Sequence, residues 1–170
     1  AIQAIHILKS KNARVKLLLA GSDRSFPEYV VSLKALARQL DVQDEVIFTG
    51  KVADEEIRDF YCSCDTFLFP NGNQTWGLAV MEAMACGHPV LVSQGAAVQE
   101  VLTDQETAVL FPARDPEALS QKIQWLMADP VRRQAIGQKG MALVRENYNW
   151  QRFAEQNVAV FEEMVSRKRE

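Results

Sequence analysis

The 170-residue chain is 48% hydrophobic and 24% charged, with a net charge of -3 and three cysteines. A chain of this size and composition buries a core without disulfide staples, which excludes a disordered protein and makes one domain the expectation. The acidic balance lacks the basic face of a nucleic-acid binder, no apolar run approaches the roughly 20 residues that span a bilayer, no secretory leader is visible, and the odd cysteine count fits reduced thiols in a cytoplasmic setting.

Ala1 to Lys11 places Ile2, Ile5 and Leu8 at helical spacing, so the chain opens on a helix with no strand before it. Val15 to Ala20 is an apolar run stopped by Gly21-Ser22-Asp23 and reads as a buried strand followed by a turn. Tyr29 to Gln39 is an amphipathic helix, and Glu45 to Thr49 is a second strand closed by Gly50. Asp54-Glu55-Glu56 opens a helix through Tyr61, with Asp54 as the expected N-cap. Thr66 to Pro70 is the third strand.

A polar stretch with Gly72 and Gly77 then leads into Leu78 to Ala85, a run of helix formers ended by Gly87 as the expected C′ glycine. The layout is strand, polar loop, helix N-terminus, whose unpaired N–H groups and dipole favour an anion such as a phosphate. Pro89 to Val92 is a fourth strand, Val98 to Leu102 a short helix, and Ala108 to Phe111 a fifth strand. Asp115-Pro116-Glu117 caps a helix through Met127, Asp129-Pro130 restarts one to Glu146 with Gly137 and Gly140 as weak points, and Trp150, Phe153, Val158 and Phe161 stripe a last helix. The tail from Arg167 to Glu170 is expected to fray.

Short apolar strands alternating with helices predict an α/β protein, a doubly wound, Rossmann-like, mostly parallel sheet. Ligands of such sheets sit beyond the carboxyl ends of the strands. Gly21-Ser22, Gly50-Lys51-Val52, Asn71 to Gly77 and Ser93 to Ala96 all follow strand ends and would share one rim. Glu82, about one and a half turns into the central helix, can project to that rim as Gln74 does, and a carboxylate there can accept two hydroxyls, as a ribose offers. Gly77 lets a ligand approach the backbone. The alternative is a loop that merely turns, with Glu82 on a solvated face.

Gly50-Lys51-Val52 can lay a nucleobase against Val52, with Lys51 near a phosphate or simply on the surface, and Gly21-Ser22 can touch a phosphate or sugar or serve as a plain turn. Cys62-x-Cys64 lacks a second ligand pair, so no metal site is expected. Cys86 reads as a small core residue, and His6 and His88 lack an acid partner and read as structural. Neither a serine-hydrolase elbow nor a P-loop occurs.

The run from Gln74 to Val90 (QTWGLAVMEAMACGHPV) closely resembles the donor-site signature of retaining glycosyltransferases of family 4, group 1, with the GT-B fold. That signature is a glutamate, seven residues, a second glutamate, then Ala-Met-Ala-x-Gly-x-Pro-Val. Further similarity lies in Leu18 to Ser22, Val46 to Val52, Asp65 to Pro70 and Tyr148 to Phe153, so the resemblance spans essentially the whole chain.

The resemblance implies transfer of a hexose from a nucleotide sugar, a UDP-hexose favoured, to an alcohol with retention, in polysaccharide or glycoconjugate synthesis. It implies no cofactor and no metal. It gives Glu82 the nucleotide ribose, Trp76, Gly77, Leu78 and Ala79 the diphosphate and sugar through backbone N–H groups, Val52 and its neighbours the base, and Gln74 the donor sugar, with Thr75 beside it among the substrate-binding residues. No catalytic residue is assigned. Gln74 departs from the family's first glutamate; it keeps hydrogen-bonding capacity but carries no charge.

The family's half-domain begins with a strand and a basic loop, whereas this chain begins on the following helix, and Lys9 and Lys11 lie at that helix's far end. The expectation is therefore a donor-binding fragment, residues 1–147, lacking the first strand of its sheet, with the helix over 148–170 packing back on it. By itself it is expected to be inactive. An acceptor glycan or lipid-linked sugar would bind through an absent N-terminal half, with the full enzyme in the cytoplasm, associated peripherally with the inner face of the membrane. A non-catalytic nucleotide-binding module and a GT-B epimerase are the alternatives.

Overall fold

The computed structural model describes residues 1–22, 24–72 and 76–167. In chain order the elements are α1 (Ile2–Ser10), β1 (Leu17–Ala20), α2 (Pro27–Gln39), β2 (Val46–Gly50), α3 (Asp54–Ser63), β3 (Phe67–Phe69), α4 (Leu78–Ala85), β4 (Val90–Ser93), a 3-10 helix (Ala97–Val101), β5 (Val109–Phe111), α5 (Pro116–Met127), α6 (Pro130–Asn147) and α7 (Trp150–Arg167). All pairing between these strands is parallel. The alternation of strand and helix is the one read from periodicity, with ends shifted by a residue or two.

The sheet is in two pieces. β1 pairs with β2, in register Leu17 with Val46 through Ala20 with Gly50, and β3, β4 and β5 form a second sheet with β4 in the middle. No ladder joins β1 to β3 among the described residues. Between those two edges lies a cavity of about 490 Å³, lined by Leu17 to Ala20 on one side and Phe67 and Leu68 on the other.

The three-stranded sheet is covered on both faces. Val90 and Val92 turn to one face, where Val80, Ala83 and Met84 of α4 and Val144 of α6 meet them. Leu91 and Val109 turn to the other, against Ala4 of α1, Leu119 and Leu126 of α5 and Ile136 of α6. All four residues of β4 are buried. Under β1 and β2 the core is smaller, made by Ile2, Ile5 and Leu8 of α1, Ala37 of α2, and Val42 and Val46. α1 contributes to both cores, and Lys11 on the turn after it pairs with Glu117 of α5 at 3.2 Å.

The helix ends show their local chemistry. Asp115 and Asp129 accept the N–H groups of Ala118 (2.9 Å) and Arg132 (3.0 Å), each with a proline following in the first turn. Gly87, at φ 81°, follows the last residues of α4 as the expected left-handed C′ glycine.

Several expectations are corrected. The run from Val15 to Ala20 is not buried; β1 alternates between half-buried and exposed, and Leu18 is 47% exposed, because one strand edge and one face lack neighbours. The N-cap of α3 is Ala53, with Asp54 already inside the helix, where its carboxylate still complements the dipole. The short helix after β4 is a 3-10 helix starting one residue earlier, at Ala97. Gly137 and Gly140 are not weak points. They let α6 approach its neighbours: a Cβ on Gly137 would lie 2.2 Å from the Gly87 carbonyl oxygen, and one on Gly140 would lie 2.7 Å from that of Thr107. α7 has no buried residue, with Trp150 84% and Phe161 63% exposed, so its apolar stripe lies uncovered among the described residues.

Candidate functional site

The predicted rim residues fall into two groups, one on each sheet. At the carboxyl ends of β1 and β2, the Gly21 N–H donates to the Gly50 carbonyl at 3.0 Å. Gly21, Ser22 and Gly50 line a cavity of about 340 Å³ together with Phe26, Lys34 and Phe48. Lys34 lies over the Phe48 ring, its Nζ 5.4 Å from the centroid, so this hollow combines an apolar wall with a cation. Gly50 has φ 71°, which turns the chain out of β2 toward exposed Lys51 and half-buried Val52.

At the carboxyl ends of β3 and β4 the loops touch. Ser93 is buried and its hydroxyl donates to the Asn71 carbonyl at 2.6 Å. A Cβ on Gly95 would lie 3.3 Å from the Gly72 carbonyl oxygen, so these loops run close together. Gly77 is the N-cap of α4, in the left-handed region at φ 79°. A side chain there would be strained and would meet the Phe69 ring at 3.2 Å, so glycine at this turn has a steric reason. Trp76 is 43% and Leu78 67% exposed, whereas Val80 is buried, so the start of α4 is anchored by one face and open on the other. Gln74, expected at the donor sugar, and Thr75, expected to bind substrate, lie outside the described residues.

Glu82 stands on the exposed face of α4, one helical turn after Leu78. Its Oε2 accepts the phenolic O–H of Tyr61 at 2.9 Å. Sequence reasoning missed Tyr61, which sits near the end of α3. The signal for it would have been an aromatic with a polar tip on a helix that must pack beside α4. Burial, and then the bond to Glu82, push the Tyr61 phenol above its ordinary pKa, so it stays a donor.

The same helix ends gather thiols. Cys86 is half-buried rather than a core residue; burial and the adjacent Cys62 thiol push its pKa up to about 11, and burial raises Cys64. His88 Nε2 lies 3.1 Å from the Cys62 carbonyl oxygen and His6 Nδ1 lies 2.8 Å from that of Leu40, both backbone contacts. Lys9 pairs with Asp41 and Glu45, each at 3.3 Å, away from the strand carboxyl ends. Among the described residues no group of three or more His, Cys, Asp or Glu side chains is placed to hold a metal ion, and no helix is long and apolar enough to cross a membrane.

The domain thus offers a glycine-opened helix start carrying an exposed carboxylate on one sheet, and a half-apolar hollow on the other. The family described as "Glycosyl transferases group 1" matches residues 1–142. The chain is 29% identical over 167 residues to the D-inositol 3-phosphate glycosyltransferase of Xylanimonas cellulosilytica, an alignment that covers 98% of this chain and 39% of that protein. Among solved structures it is similar to sucrose-phosphate synthase of Thermosynechococcus elongatus, with TM-score 0.84 and 27% identity over 97% of this chain and 42% of that one. It also shares its fold with the HepE protein of Anabaena, solved in complex with UDP-glucose, at TM-score 0.84 and 19% identity over 95% and 44% of the two chains. The chain therefore spans about two fifths of the length of these proteins. It belongs to the group 1 glycosyl transferases, and its fold is the C-terminal domain of the GT-B architecture.

Proposed function

We propose that this domain is the donor-binding half of a retaining glycosyltransferase that takes a hexose from a nucleotide sugar, with a UDP-sugar favoured, and passes it to an alcohol. The observation that carries the reading is Glu82, an exposed carboxylate on α4 one turn after Leu78, on the helix that the left-handed Gly77 opens beyond β3. In this reading Glu82 accepts the two ribose hydroxyls. The backbone N–H groups of Trp76, Gly77, Leu78 and Ala79 meet the diphosphate and the sugar, because the first turn of a helix offers unpaired donors and the positive end of its dipole. Gly50, Lys51 and Val52 take the base, and Gly21 and Ser22 approach the phosphates or the sugar. Gln74 and Thr75 hold the donor sugar, with Gln74 positioning it by hydrogen bonds rather than by charge. The UDP-glucose held by a protein of the same fold supports a nucleotide-sugar donor.

The nucleotide sugar is a co-substrate, and no further cofactor or metal takes part. The acceptor, a glycan or lipid-linked sugar, binds through a partner half outside these residues. The full enzyme works in the cytoplasm or at the inner face of the membrane, in polysaccharide or glycoconjugate synthesis. Gln74 in place of an acid favours a second reading, a nucleotide-binding module without catalysis.

Calorimetry on the full-length protein with UDP, UDP-glucose, GDP-mannose and ADP-glucose tests the reading. One nucleotide sugar should bind, and Glu82→Ala should weaken it at least about tenfold, the scale expected for losing hydrogen bonds to a charged acceptor. Absence of binding by any of the four would overturn it. Binding without sugar transfer would favour the second reading.

A further inference from the structure

We infer that Tyr61 is a positioning residue for the ribose-binding carboxylate, holding Glu82 in one orientation on the rim; the inference rests on the reading of Glu82 given above. An exposed glutamate on a helix samples many rotamers, and ordering it on ligand binding costs affinity. Here the side chain is already tethered, through the 2.9 Å bond that the Tyr61 hydroxyl donates to Oε2.

The tether is itself held rigidly. The Tyr61 ring is half-buried and meets Phe67 edge-on, with centroids 5.5 Å apart and planes at 72°. Both rings pack against the core cluster that contains Val80, Met81 and Met84 of α4. Phe67 is the first residue of β3, so a packed element fixes the hydroxyl, and through it the carboxylate. A carboxylate presents about four acceptor directions on its two oxygens, so one phenol leaves capacity for two ribose hydroxyls. The phenol remains a donor at any ordinary pH, since burial opposes its ionisation.

The test compares uridine diphosphate with its 2′,3′-dideoxy counterpart, titrated into the full-length protein and its Tyr61→Phe, Glu82→Gln and doubly substituted variants. The wild type should prefer the ribose form. Tyr61→Phe, which removes one oxygen and keeps the ring, should reduce that preference about three- to tenfold while leaving the affinity for the dideoxy form unchanged. In the Glu82→Gln background it should have little further effect on the ribose preference. A Tyr61→Phe protein that keeps the full ribose preference overturns the inference, and so does one that loses both ligands equally, because that is general loosening. A wild type whose ribose preference is unaffected by Glu82→Gln refutes the reading of Glu82 itself, and the inference falls with it.

Discussion

The two sheets of this domain are made from similar sequences and end in different environments. β4, Val-Leu-Val-Ser, is buried at every residue, whereas β1, Leu-Leu-Leu-Ala, is buried at none. Hydropathy alone ranks β1 at least as high. The difference lies in neighbours: β4 has a strand on each side and helices on both faces, while β1 has one strand partner and a cavity at its other edge. Burial is a property of the neighbourhood, and in a parallel sheet the neighbours come from distant parts of the chain. The candidate site inherits this contrast, with Gly77 and Glu82 mounted on the packed half and Gly21, Ser22 and Gly50 on the open one.

The contrast can be broken most directly at Leu91. This side chain is fully buried between β3 and β5, and Leu91→Ala should cost about 2–5 kcal/mol in urea unfolding of the chain, as core truncations do. A loss below about 1 kcal/mol would show that the three-stranded half is not the stabilising core. Next comes Gly137→Ala. In an ordinary helix interior this change stabilises, but here the new methyl would lie 2.2 Å from a backbone oxygen, so overpacking of about 1–3 kcal/mol should lower the melting temperature. A higher melting temperature would mean that α6 and the Gly87 turn are not in close approach.

The smallest effect belongs to the open half. Leu18 is 47% exposed, so Leu18→Ala should cost less than about 1 kcal/mol in the isolated chain. Repeating it in the full-length protein sharpens the comparison. If a further strand fills the cavity there, Leu18 becomes a core position and the cost should rise to about 2–5 kcal/mol.

Much of the architecture was legible in the sequence. The strand from Val90 announced itself by an unbroken apolar run, the starts of α5 and α6 by Asp-Pro pairs, and the end of α4 by Gly87. Counting residues from Gly77 put Glu82 about one and a half turns into α4, and the helix does carry it there. Other features were not legible because they depend on contacts across the fold. Gly137 and Gly140 look like helix breakers in one dimension and are sites of close backbone approach in three. Tyr61 carries no motif; its meaning comes from α3 lying beside α4. The stripe of α7 reads as a buried face, yet nothing among the described residues covers it.

The sequence by itself determined the order of elements, the parallel α/β class and the strand-loop-helix unit that ends in Gly87, because local periodicity, capping and turn residues encode those directly. The tertiary structure alone decided that the sheet is divided between β1 and β3, that Asn71 and Ser93 tie two loops together, and that the Glu82 carboxylate is held by a tyrosine from another helix. Those outcomes depend on which distant surfaces meet, and on how much apolar area and how many polar partners each meeting supplies, which no local pattern of residues records.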